Sequence, residues 1–364
     1  MSGKPKKIFV FEFFPFHAHN LCLHPHLIKM MFADTEFEFH YFLNPSLFSE
    51  KTYIPNNHLC TRTVSHRTIQ ALQKLKLLKI WAVIKFYFYV KVSRPEIIIF
   101  NSLEKGISLT LFKLLKKTCK ISLVHNPDNI ELRKDQHSIH LSMNKYIYEN
   151  FSSKLDGYCL SFYGPQAKHK NRETDDTFII SVPGSISFKR RNYELIIDIA
   201  KKLKLSGHPN YKVLFNIIGA ANKKDGPKLK KIIDDLGINE YFKFHTKVND
   251  EEFIQAICES DALIPLITDP QSPYFSVKNS ATYSHSARYS KPMIIPEHCA
   301  NAWRIPYDSC ITYEECEDLA DKLLTIKSDI PDIANSYKTH IDQMLRDNKN
   351  HLLNVAKNKN FRLS

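Results

Sequence analysis

The sequence predicts an α/β protein built from two consecutive doubly wound units that face a central cleft. Three observations predict this class. Short apolar runs alternate with helical periods along most of the 364 residues. The apolar runs are continuous, which is typical of parallel strands covered on both faces. A polar stretch without periodicity, residues 163–176, divides the alternation into two series and marks a domain boundary.

Each element of the first series follows from its local pattern. Continuous or alternating apolar residues predict strands, whereas apolar residues at helical spacing predict helices. The predicted strands are 8–13, 36–42, 96–100, 120–125 and 157–162. The predicted helices are 21–32, 68–92, 106–117 and 138–152.

The second series repeats the alternation after the boundary. Its predicted strands are 177–182, 212–218, 242–245, 262–267 and 293–295. Its predicted helices are 193–205, 227–236, 250–259, 280–290 and 315–326. We therefore expect a first domain over 1–170, a second over 177–330, and a helical tail over 331–364 that returns to the first domain.

The composition is that of an ordinary globular protein, with 43% hydrophobic and 24% charged residues, which excludes a wholly disordered or fibrous chain. The formal net charge is +13, from 51 Lys and Arg against 38 Asp and Glu, and it favours anionic partners. Only 9 glycines occur, which argues against a fold with several glycine-rich phosphate loops.

The eight cysteines show no C-x-x-C spacing, which favours reduced thiols in a cytoplasmic setting over a disulfide framework. The start of the sequence has an apolar run interrupted at Glu12 and no small-residue cleavage site, so we interpret it as a strand and not as a signal peptide. No window of 18 apolar residues occurs. We therefore expect a cytoplasmic protein, peripheral on the inner face of the membrane.

Three consecutive cations precede a predicted helix in the segment VPGSISFKRRNYELIIDIAKKL, namely Lys189, Arg190 and Arg191. Positive charge opposes the macrodipole at a helix N-terminus unless an anion lies there and offsets both. The functional interpretation is a diphosphate clamp, and the alternative is a solvated basic turn.

A second segment of interest spans residues 272–297, where a polar loop leads into a helix. Ser280 and Thr282 offer hydroxyl groups there, and the backbone N–H groups of a first helical turn can bind phosphate. The alternative is ordinary capping of the helix by Ser280.

The order of these segments resembles the donor-binding domain of GT-B glycosyltransferases, most of all the glycogen-synthase-like group. The likeness covers residues 177–327 and is carried by the runs PGSI, KRRNYELIIDIAKKL, YKVLFNIIGA and SATYSHSARYSKPMII. It implies two Rossmann-like domains, a UDP- or GDP-linked sugar as donor substrate, and no cofactor. The donor-binding residues that it implies are Gly184, Lys189, Arg190, Gly219, His245, Lys247, Ser280, Thr282 and His285.

Within that resemblance, Arg190 matches the lysine that holds the diphosphate, and residues 245–248 match the loop whose backbone holds the nucleobase. Two departures concern the donor sugar. The group's pair of glutamates falls on Val277 and His285, and its arginine after the first glycine is Ser185. His285 can still hydrogen-bond a ribose hydroxyl. The missing carboxylates leave a second interpretation open, a catalytically silent GT-B-like module that acts as a partner in a glycan-assembly complex.

The loop after the first strand, FPFHAHNLCLHPH, is rich in histidine. Two H-x-H pairs suggest metal, but a GT-B transferase needs none, because cations and a helix N-terminus can neutralise the leaving diphosphate. We predict that His17 or His19 is a catalytic base or orients the acceptor, since histidine accepts a proton near neutral pH. The alternative is ordinary loop packing.

His125 ends the predicted strand KISLVH and resembles the strand-end histidine that GT-B enzymes direct at the donor sugar. The alternative is a core or capping histidine. Asp128 and Glu104 are weaker candidates for contacts with the acceptor.

Residues 51–95 contain nine Lys or Arg and no Asp or Glu. Within this stretch, the predicted helix over about 68–92 mixes cations with aromatic and aliphatic residues, which is typical of a basic amphipathic helix on an anionic bilayer. The alternative is a helix that faces the core, with lysine stems along its edge.

The resemblance implies a metal-independent hexosyltransferase. It favours retention of configuration, and the altered loop at Val277 and His285 leaves inversion as the open alternative. Its acceptor would be a glycan or a lipid-linked glycan, in surface polysaccharide or glycolipid assembly. Nucleic acid is not expected as a partner, because charge alone suggests it and no base-stacking or helix-turn-helix pattern occurs.

Overall fold

The computed structural model separates the chain into two compact units, the first formed by residues 1–164 with 345–364 and the second by residues 165–344. The structure describes residues 6–12, 23–32, 36–43, 78–162 without 105 and 133, 176–205, 211–219, 225–245 and 249–359. The tail predicted over 331–364 divides at residue 345, so that only its second part belongs to the first unit.

The first unit is built on a parallel six-stranded sheet in the order β2-β1-β3-β4-β5-β6. Its strands are Lys6–Glu12 (β1), Phe37–Leu43 (β2), Ile97–Phe100 (β3), Cys119–Val124 (β4), Ser138–Ser142 (β5) and Gly157–Tyr158 (β6). Its helices are Leu23–Met31 (α1), Leu78–Ser93 (α2), Ile107–Leu114 (α3) and Lys145–Asn150 (α4).

The second unit has a four-stranded parallel sheet, β10-β7-β8-β9, which a bridge between Leu263 and Met293 extends to the parallel pair β11-β12. The strands are Thr177–Pro183 (β7), Lys212–Ile218 (β8), Phe242–His245 (β9), Ala262–Leu263 (β10), Ile294–Pro296 (β11) and Ile311–Tyr313 (β12). The helices are Tyr193–Leu205 (α5), Asp225–Asp235 (α6), Asp250–Cys258 (α7), Ala281–Tyr289 (α8), Glu297–Trp303 (α9), Cys316–Thr325 (α10) and Ile330–Asn358 (α11).

Apolar periodicity explains these elements. The helical spacing of Ile196, Ile197, Ala200 and Leu203 places all four in the core beneath α5, which confirms the predicted helix. Helix α7 begins at a capping box, in which the Asn249 side chain accepts from the Glu252 N–H and the Glu252 carboxylate accepts from the Asn249 N–H. The described cysteines are all free.

The helix predicted over 138–152 is wrong, because residues 138–142 form strand β5 and only 145–150 are helical. Every residue of β5 is buried, including His140, which bonds the Ser122 hydroxyl on the neighbouring strand. A strand with buried polar side chains lacks the continuous apolar pattern by which strands are recognised. Polar pairing inside the sheet therefore concealed it.

Other boundaries also differ from the prediction. Strands β6 and β10 are shorter than the apolar runs that contain them, and α9 and β12 were not predicted. The helix predicted over 68–92 is present from Leu78, and residues 68–77 lie outside the described residues.

Helix α11 contributes to both units. Its Tyr337 is fully buried in the second unit and accepts a hydrogen bond from Ser286 on α8 at 2.6 Å. Farther along, Asn348 donates to the Tyr158 carbonyl at 2.7 Å and accepts from the Leu160 N–H, both in the first unit. Among the described residues, no helix combines the length and apolar character needed to cross a membrane.

Candidate functional site

The order of the strands fixes where a crevice forms in each unit. In an open parallel sheet, ligands bind at the carboxyl ends of the strands, where the strand order changes direction. In the second unit this point lies between β7 and β10, because β8 and β9 extend to the other side of β7. In the first unit it lies between β1 and β3, because β2 extends to the other side of β1.

Two glycines bring the ends of β7 and β8 into direct backbone contact. The Gly184 N–H donates to the Ile218 carbonyl at 2.7 Å, and a Cβ at Gly219 would overlap the Gly184 carbonyl oxygen. Gly184 also has a φ of 103°, which residues with a side chain rarely adopt. A Cβ there would lie 2.8 Å from Nη2 of Arg191. Both glycines are thus required by the local backbone.

The three cations after Gly184 occupy different environments. Lys189 and Arg190 are exposed, and Arg190 Nη2 donates to the Ser185 hydroxyl at 2.6 Å. Arg191 turns inward, and its Nη2 donates to the Pro183 carbonyl, also at 2.6 Å. Burial lowers the pKa of Arg191, although an arginine stays charged at any physiological pH.

The inward-turned cation is half-buried beside an aromatic hydroxyl group. Arg191 Nη1 and the neighbouring Tyr193 hydroxyl are both shielded from solvent, and the two side chains act on each other's pKa. The titratable groups that act on Arg191 are Tyr193, Arg190 and Tyr274, with no carboxylate among them. No negatively charged side chain in this set balances the guanidinium, so this loop is electrostatically prepared for an anion.

Contacts with other strand ends hold the cationic loop at the crevice of the second unit. The Asn192 N–H donates to the Leu266 carbonyl at 2.8 Å, and the Asn192 side chain reaches the Thr268 hydroxyl at 3.3 Å. Both partners follow β10, the strand on the far side of the crevice. The Phe188 N–H donates to the Asp225 carboxylate at the start of α6. The loop is therefore fixed on both sides.

An aromatic chain connects this loop to helix α8. Tyr274, which interacts with Arg191, accepts a hydrogen bond at its backbone carbonyl from the Trp303 indole at 2.9 Å. The Trp303 ring lies 5.5 Å from the ring of Tyr283 on α8. Rigid aromatic packing thus relates the cations to the α8 start.

The crevice of the first unit has acidic and neutral polar groups instead. Glu12, at the end of β1, is 1% exposed and accepts hydrogen bonds of 2.6 Å from the Asn101 amide and the Ser102 hydroxyl, which follow β3. The Asn101 amide oxygen in turn accepts from His24 Nε2 at 2.8 Å. A buried carboxylate thus anchors a hydrogen-bonded cluster of Glu12, His24, Asn101 and Ser102, named here the Glu12 cluster.

His24 is kept neutral within the Glu12 cluster. Its side chain is completely buried, and burial lowers its pKa from 6.5 to about 4, against a smaller raising effect of the hydrogen bond to Asn101. Because Nε2 donates to Asn101, the other ring nitrogen carries the lone pair, and that nitrogen has no hydrogen-bond partner among the described residues.

Comparison with solved structures identifies the architecture. A glycosyltransferase from Rickettsia africae ESF-5 shares 12% identity, with 98% of this chain and 97% of that chain covered and a TM-score of 0.57. Anabaena HepE in complex with UDP shares 14% identity over 96% and 97% of the two chains, with a TM-score of 0.57. The lipopolysaccharide outer core galactosyltransferase WaaB shares 14% identity over 91% and 94%, with a TM-score of 0.52.

The chain has the GT-B fold. The strand orders of both units fit its two Rossmann-like domains, and the fold class expected from the sequence is confirmed. No protein-family model and no curated protein matches the sequence. The finer likeness to the glycogen-synthase-like group stays a prediction.

The GT-B resemblance placed a phosphate contact at the start of α8. Ser280 occupies the N-cap position but forms no side-chain hydrogen bond with the helix, so the structure does not show ordinary capping by this serine. Ser280 and Thr282 are 3% and 2% exposed, which turns both side chains away from solvent. A phosphate here would be bound by backbone N–H groups of the first turn rather than by the Thr282 hydroxyl.

Two histidines expected near the nucleoside lie beside α7. His245 ends β9 and is half-buried, and burial, with Lys243 nearby, lowers its pKa. The His285 ring packs edge-on against Phe253 at 5.1 Å and stacks with Tyr289 at 6.4 Å. Their contacts with a nucleoside stay predictions, and Lys247 lies outside the described residues.

The catalytic histidines predicted for the GT-B acceptor side have two outcomes. His125 follows β4, and its Nε2 donates to the Asn101 backbone carbonyl at 3.1 Å, which joins it to the Glu12 cluster and fixes its tautomer. His17 and His19 lie outside the described residues. Within the part of the chain that the structure describes, no group of three or more His, Cys, Asp or Glu is placed to hold a metal ion.

Sequence reasoning missed two sets of site residues. It named Arg191 among the cations but assigned the clamp to Lys189 and Arg190, and only the geometry around Gly184 shows which cation turns inward. It treated Glu12 as an interruption of an apolar strand. An acidic residue at the last position of a parallel strand was the signal that would have found the Glu12 cluster.

Proposed function

We propose that this protein is a metal-independent hexosyltransferase that moves a sugar from a UDP- or GDP-linked donor to a glycan or lipid-linked acceptor. The work would be done in the cytoplasm, at the inner face of the membrane, in surface polysaccharide or glycolipid assembly. The GT-B fold supports the class, and HepE, which has that fold, has been seen with UDP and with UDP-glucose. Retention of configuration is the outcome that the glycogen-synthase-like resemblance favours.

The observation that carries the proposal is the inward-turned, half-buried guanidinium of Arg191 at the crevice of the second unit. A leaving nucleoside diphosphate develops negative charge, and fixed positive groups near it stabilise the transition state without reorganisation. Arg191 is held by the Pro183 carbonyl and faces no carboxylate among its described neighbours. Arg190 and Lys189 supply further positive charge from the exposed side of the same loop.

The remaining donor contacts follow the GT-B arrangement. Gly184 and Gly219 let a diphosphate approach two strand ends closely, because neither presents a side chain. The start of α8, at Ser280 and Thr282, would bind phosphate through its amides. His245, Lys247 and His285 would contact the nucleoside.

The first unit would bind the acceptor. His125 is the proposed contact with the transferred sugar, and its ring orientation is set by the Asn101 carbonyl. His17 and His19 are the proposed groups that accept or orient the acceptor hydroxyl. The neutral His24 is enclosed within the Glu12 cluster and orients Asn101 rather than exchanging protons at neutral pH.

Release of nucleoside diphosphate from a panel of UDP- and GDP-sugars, measured with excess EDTA, tests this proposal. We expect slow hydrolysis of one donor with EDTA present and a higher rate when the acceptor is added. Complete inhibition by EDTA that Mg²⁺ or Mn²⁺ restores would contradict metal independence. If no panel member is bound or hydrolysed, the transferase proposal fails.

A second candidate function is a catalytically silent partner in a glycan-assembly complex. The observation that favours it is the absence of the paired carboxylates, since Val277 and His285 occupy their positions. Calorimetric titration separates the two candidates. A silent module binds UDP or GDP without turnover of any donor, or binds neither.

A further inference from the structure

Helix α2 has apolar residues on both sides, unlike the basic amphipathic helix predicted from the sequence. One side belongs to the core. Phe86 and Val90 are 0% and 4% exposed, and the Phe86 ring lies 4.9 Å from Phe11 on β1 and 5.2 Å from Phe42 on β2. This side confirms the alternative of a core-facing helix, and it leaves the opposite side to be explained.

The opposite side carries a continuous stripe of large apolar side chains. Ile80, Ile84, Phe88 and Val92 are 58%, 51%, 63% and 82% exposed. They recur every fourth residue, so they fall within about 120° of one another on a helix that turns about 100° per residue. We name these four residues the outer stripe. It is about 18 Å long, from the helical rise of about 1.5 Å per residue.

Cations and amphipathic aromatic rings lie among and beside the residues of the outer stripe. The Lys85 ammonium lies 4.8 Å from the centre of the Trp81 ring, and the Lys91 ammonium lies 5.4 Å from the centre of the Tyr87 ring. Arg94 follows the helix and is exposed. The helix itself contains no acidic residue. The charges that the helix itself carries are therefore all positive.

The neighbouring helix continues the same chemistry. Helix α3 packs against α2, and its last residue, Leu114, is 53% exposed. Exposed lysines lie beside it at positions 113, 116 and 117. The helix that contacts α2 thus also ends in an exposed apolar side chain with lysines next to it in the sequence.

This chemistry fits the boundary between headgroups and acyl chains of a bilayer. Aliphatic and phenylalanine side chains enter the acyl region, tryptophan and tyrosine rings lie at the headgroups, and lysine stems extend along apolar surface to place their charge among anionic phosphates. A protein partner matched to the stripe would need a complementary acidic rim, whereas an anionic bilayer supplies that charge everywhere.

We propose that the outer stripe of α2 inserts into the surface of a bilayer that contains anionic lipid. The insertion orients the first unit on the membrane. Its use for a lipid-linked acceptor rests on the proposed function, but the binding itself does not. The donor-hydrolysis assay above and the vesicle assay below therefore fail independently.

Co-sedimentation of the full chain with vesicles tests the proposal, using equimolar phosphatidylglycerol and phosphatidylcholine against phosphatidylcholine alone. We expect strong binding to the anionic vesicles and weak binding to the neutral ones. Phe88→Ser should weaken binding about tenfold or more, since burial of one large apolar side chain changes a partition constant by at least that factor. The matched control is Leu205→Ser on α5, because Leu205 is 86% exposed on the second unit.

The cationic rim is tested in the same way. Lys91→Glu should weaken binding to anionic vesicles, while Lys338→Glu, an exposed site on α11 in the second unit, should not. Intrinsic fluorescence adds a direct readout, because the chain has only two tryptophans and Trp303 is 2% exposed. Vesicles should shift the emission to shorter wavelength, and Trp81→Phe should abolish the shift.

Three outcomes would overturn the proposal. The chain fails to bind anionic vesicles at low salt, or Phe88→Ser and Leu205→Ser bind them equally. The third outcome is a dimer in sedimentation velocity without vesicles that the Phe88→Ser substitution dissociates. That result would mean that the outer stripe binds a second copy of this chain. A far-UV circular dichroism spectrum and a urea-unfolding midpoint unchanged in Phe88→Ser would show that the variant is folded.

Discussion

The crevices of the two units have the same topological position but opposite polarity. In the second unit, Arg190 and Arg191 follow the end of β7, and Arg191 is half-buried with no carboxylate among its described partners. In the first unit, β1 ends in a buried carboxylate, Glu12, satisfied by Asn101 and Ser102. Residues at the strand ends therefore make the crevice of the second unit positively charged and that of the first unit negatively charged, although the two units share one architecture.

The difference teaches how two units of similar architecture can favour different ligands. A cationic crevice favours an anionic ligand, whereas an acidic crevice repels it and favours neutral hydroxyl-rich molecules or protonated groups. The partners also differ between the two. The Glu12 cluster is bonded among its own members, whereas no carboxylate is among the groups that act on Arg191. The second crevice is the one prepared for a charged ligand.

The largest effect on ligand binding is expected when Arg191 loses its guanidinium group. Arg191→Met keeps the apolar stem and removes the charge, and we expect the Kd for UDP or GDP to rise about thirtyfold or more, since loss of a buried charged partner costs about 2–5 kcal/mol. Calorimetric titration measures the change. Lys201→Met, an exposed cation on α5 paired with Asp198, is the matched control. Equal affinities in the two variants would remove Arg191 from the donor site.

The pH dependence of stability tests the first unit. His24 has a pKa of about 4 in the folded protein and 6.5 when unperturbed, so only the unfolded state gains a proton as the pH falls below 6.5. The stabilising contribution of the neutral His24 is therefore complete above pH 6.5. It decreases as the pH falls from 6.5 to about 4, and the total decrease in unfolding free energy is about 3 kcal/mol.

Urea unfolding of the wild type and of His24→Gln, at a series of pH values from about 7.5 to about 4, measures that loss of folding free energy. The difference in unfolding free energy between the wild type and His24→Gln should become smaller as the pH falls, because only the wild type loses the contribution of His24. His137→Gln, at an exposed histidine of the same unit, should run parallel to the wild type. A constant gap for His24→Gln would mean that this ring is not kept neutral by burial.

Because the ends of β7 and β8 approach each other closely, a side chain at that point should lower the stability of the second unit by an intermediate amount. Gly219→Ala places a Cβ against the Gly184 carbonyl oxygen, and the required backbone shift should cost about 1–3 kcal/mol of unfolding free energy. Gly106→Ala is the informative comparison, because Gly106 has a φ of 101° but open space around it. Chemical denaturation should show a smaller loss there, of about 1 kcal/mol, from backbone strain alone.

The smallest effect is expected at the exposed cation. Arg190→Ala should raise the KM for donor by about fivefold without changing the fold, because an exposed charge in water contributes on the order of 1 kcal/mol. The effect should shrink with added salt, whereas that of Arg191→Met should persist. Kinetics at two ionic strengths check this. If Arg190→Ala weakens donor binding more than Arg191→Met does, then Arg190, which the resemblance named, is the main phosphate contact and Arg191 is not.

Periodicity predicted the second unit closely because its strands and helices segregate apolar from polar residues, as the identical bounds of α5, β8 and β9 show. It failed at β5, where Ser138, His140 and Ser142 are buried polar residues inside the sheet. It also could not decide which of three adjacent cations turns inward. That choice depends on the positive φ of Gly184 and on the Pro183 carbonyl, both of which are tertiary facts.

The first-unit site was less accessible to sequence reasoning for a related reason. The Glu12–Asn101 and His24–Asn101 bonds join residues 89 and 77 positions apart. Such contacts leave no local pattern. Only the rule that ligand sites form at the carboxyl ends of parallel strands would have singled out Glu12 and Asn101 together.

Helix α11 has a consequence for how the protein is made. Leu352, Val355 and Ala356 complete the hydrophobic core of the first unit, and a Cβ at Gly157 would meet the His351 ring. During synthesis, the first unit therefore cannot complete its core until residues 345–364 have left the ribosome, while residues 165–344 can fold before it. A fragment that stops at residue 164 would expose core surface to chaperones and proteases, and supplying residues 345–364 as a separate peptide is a route to rescue it.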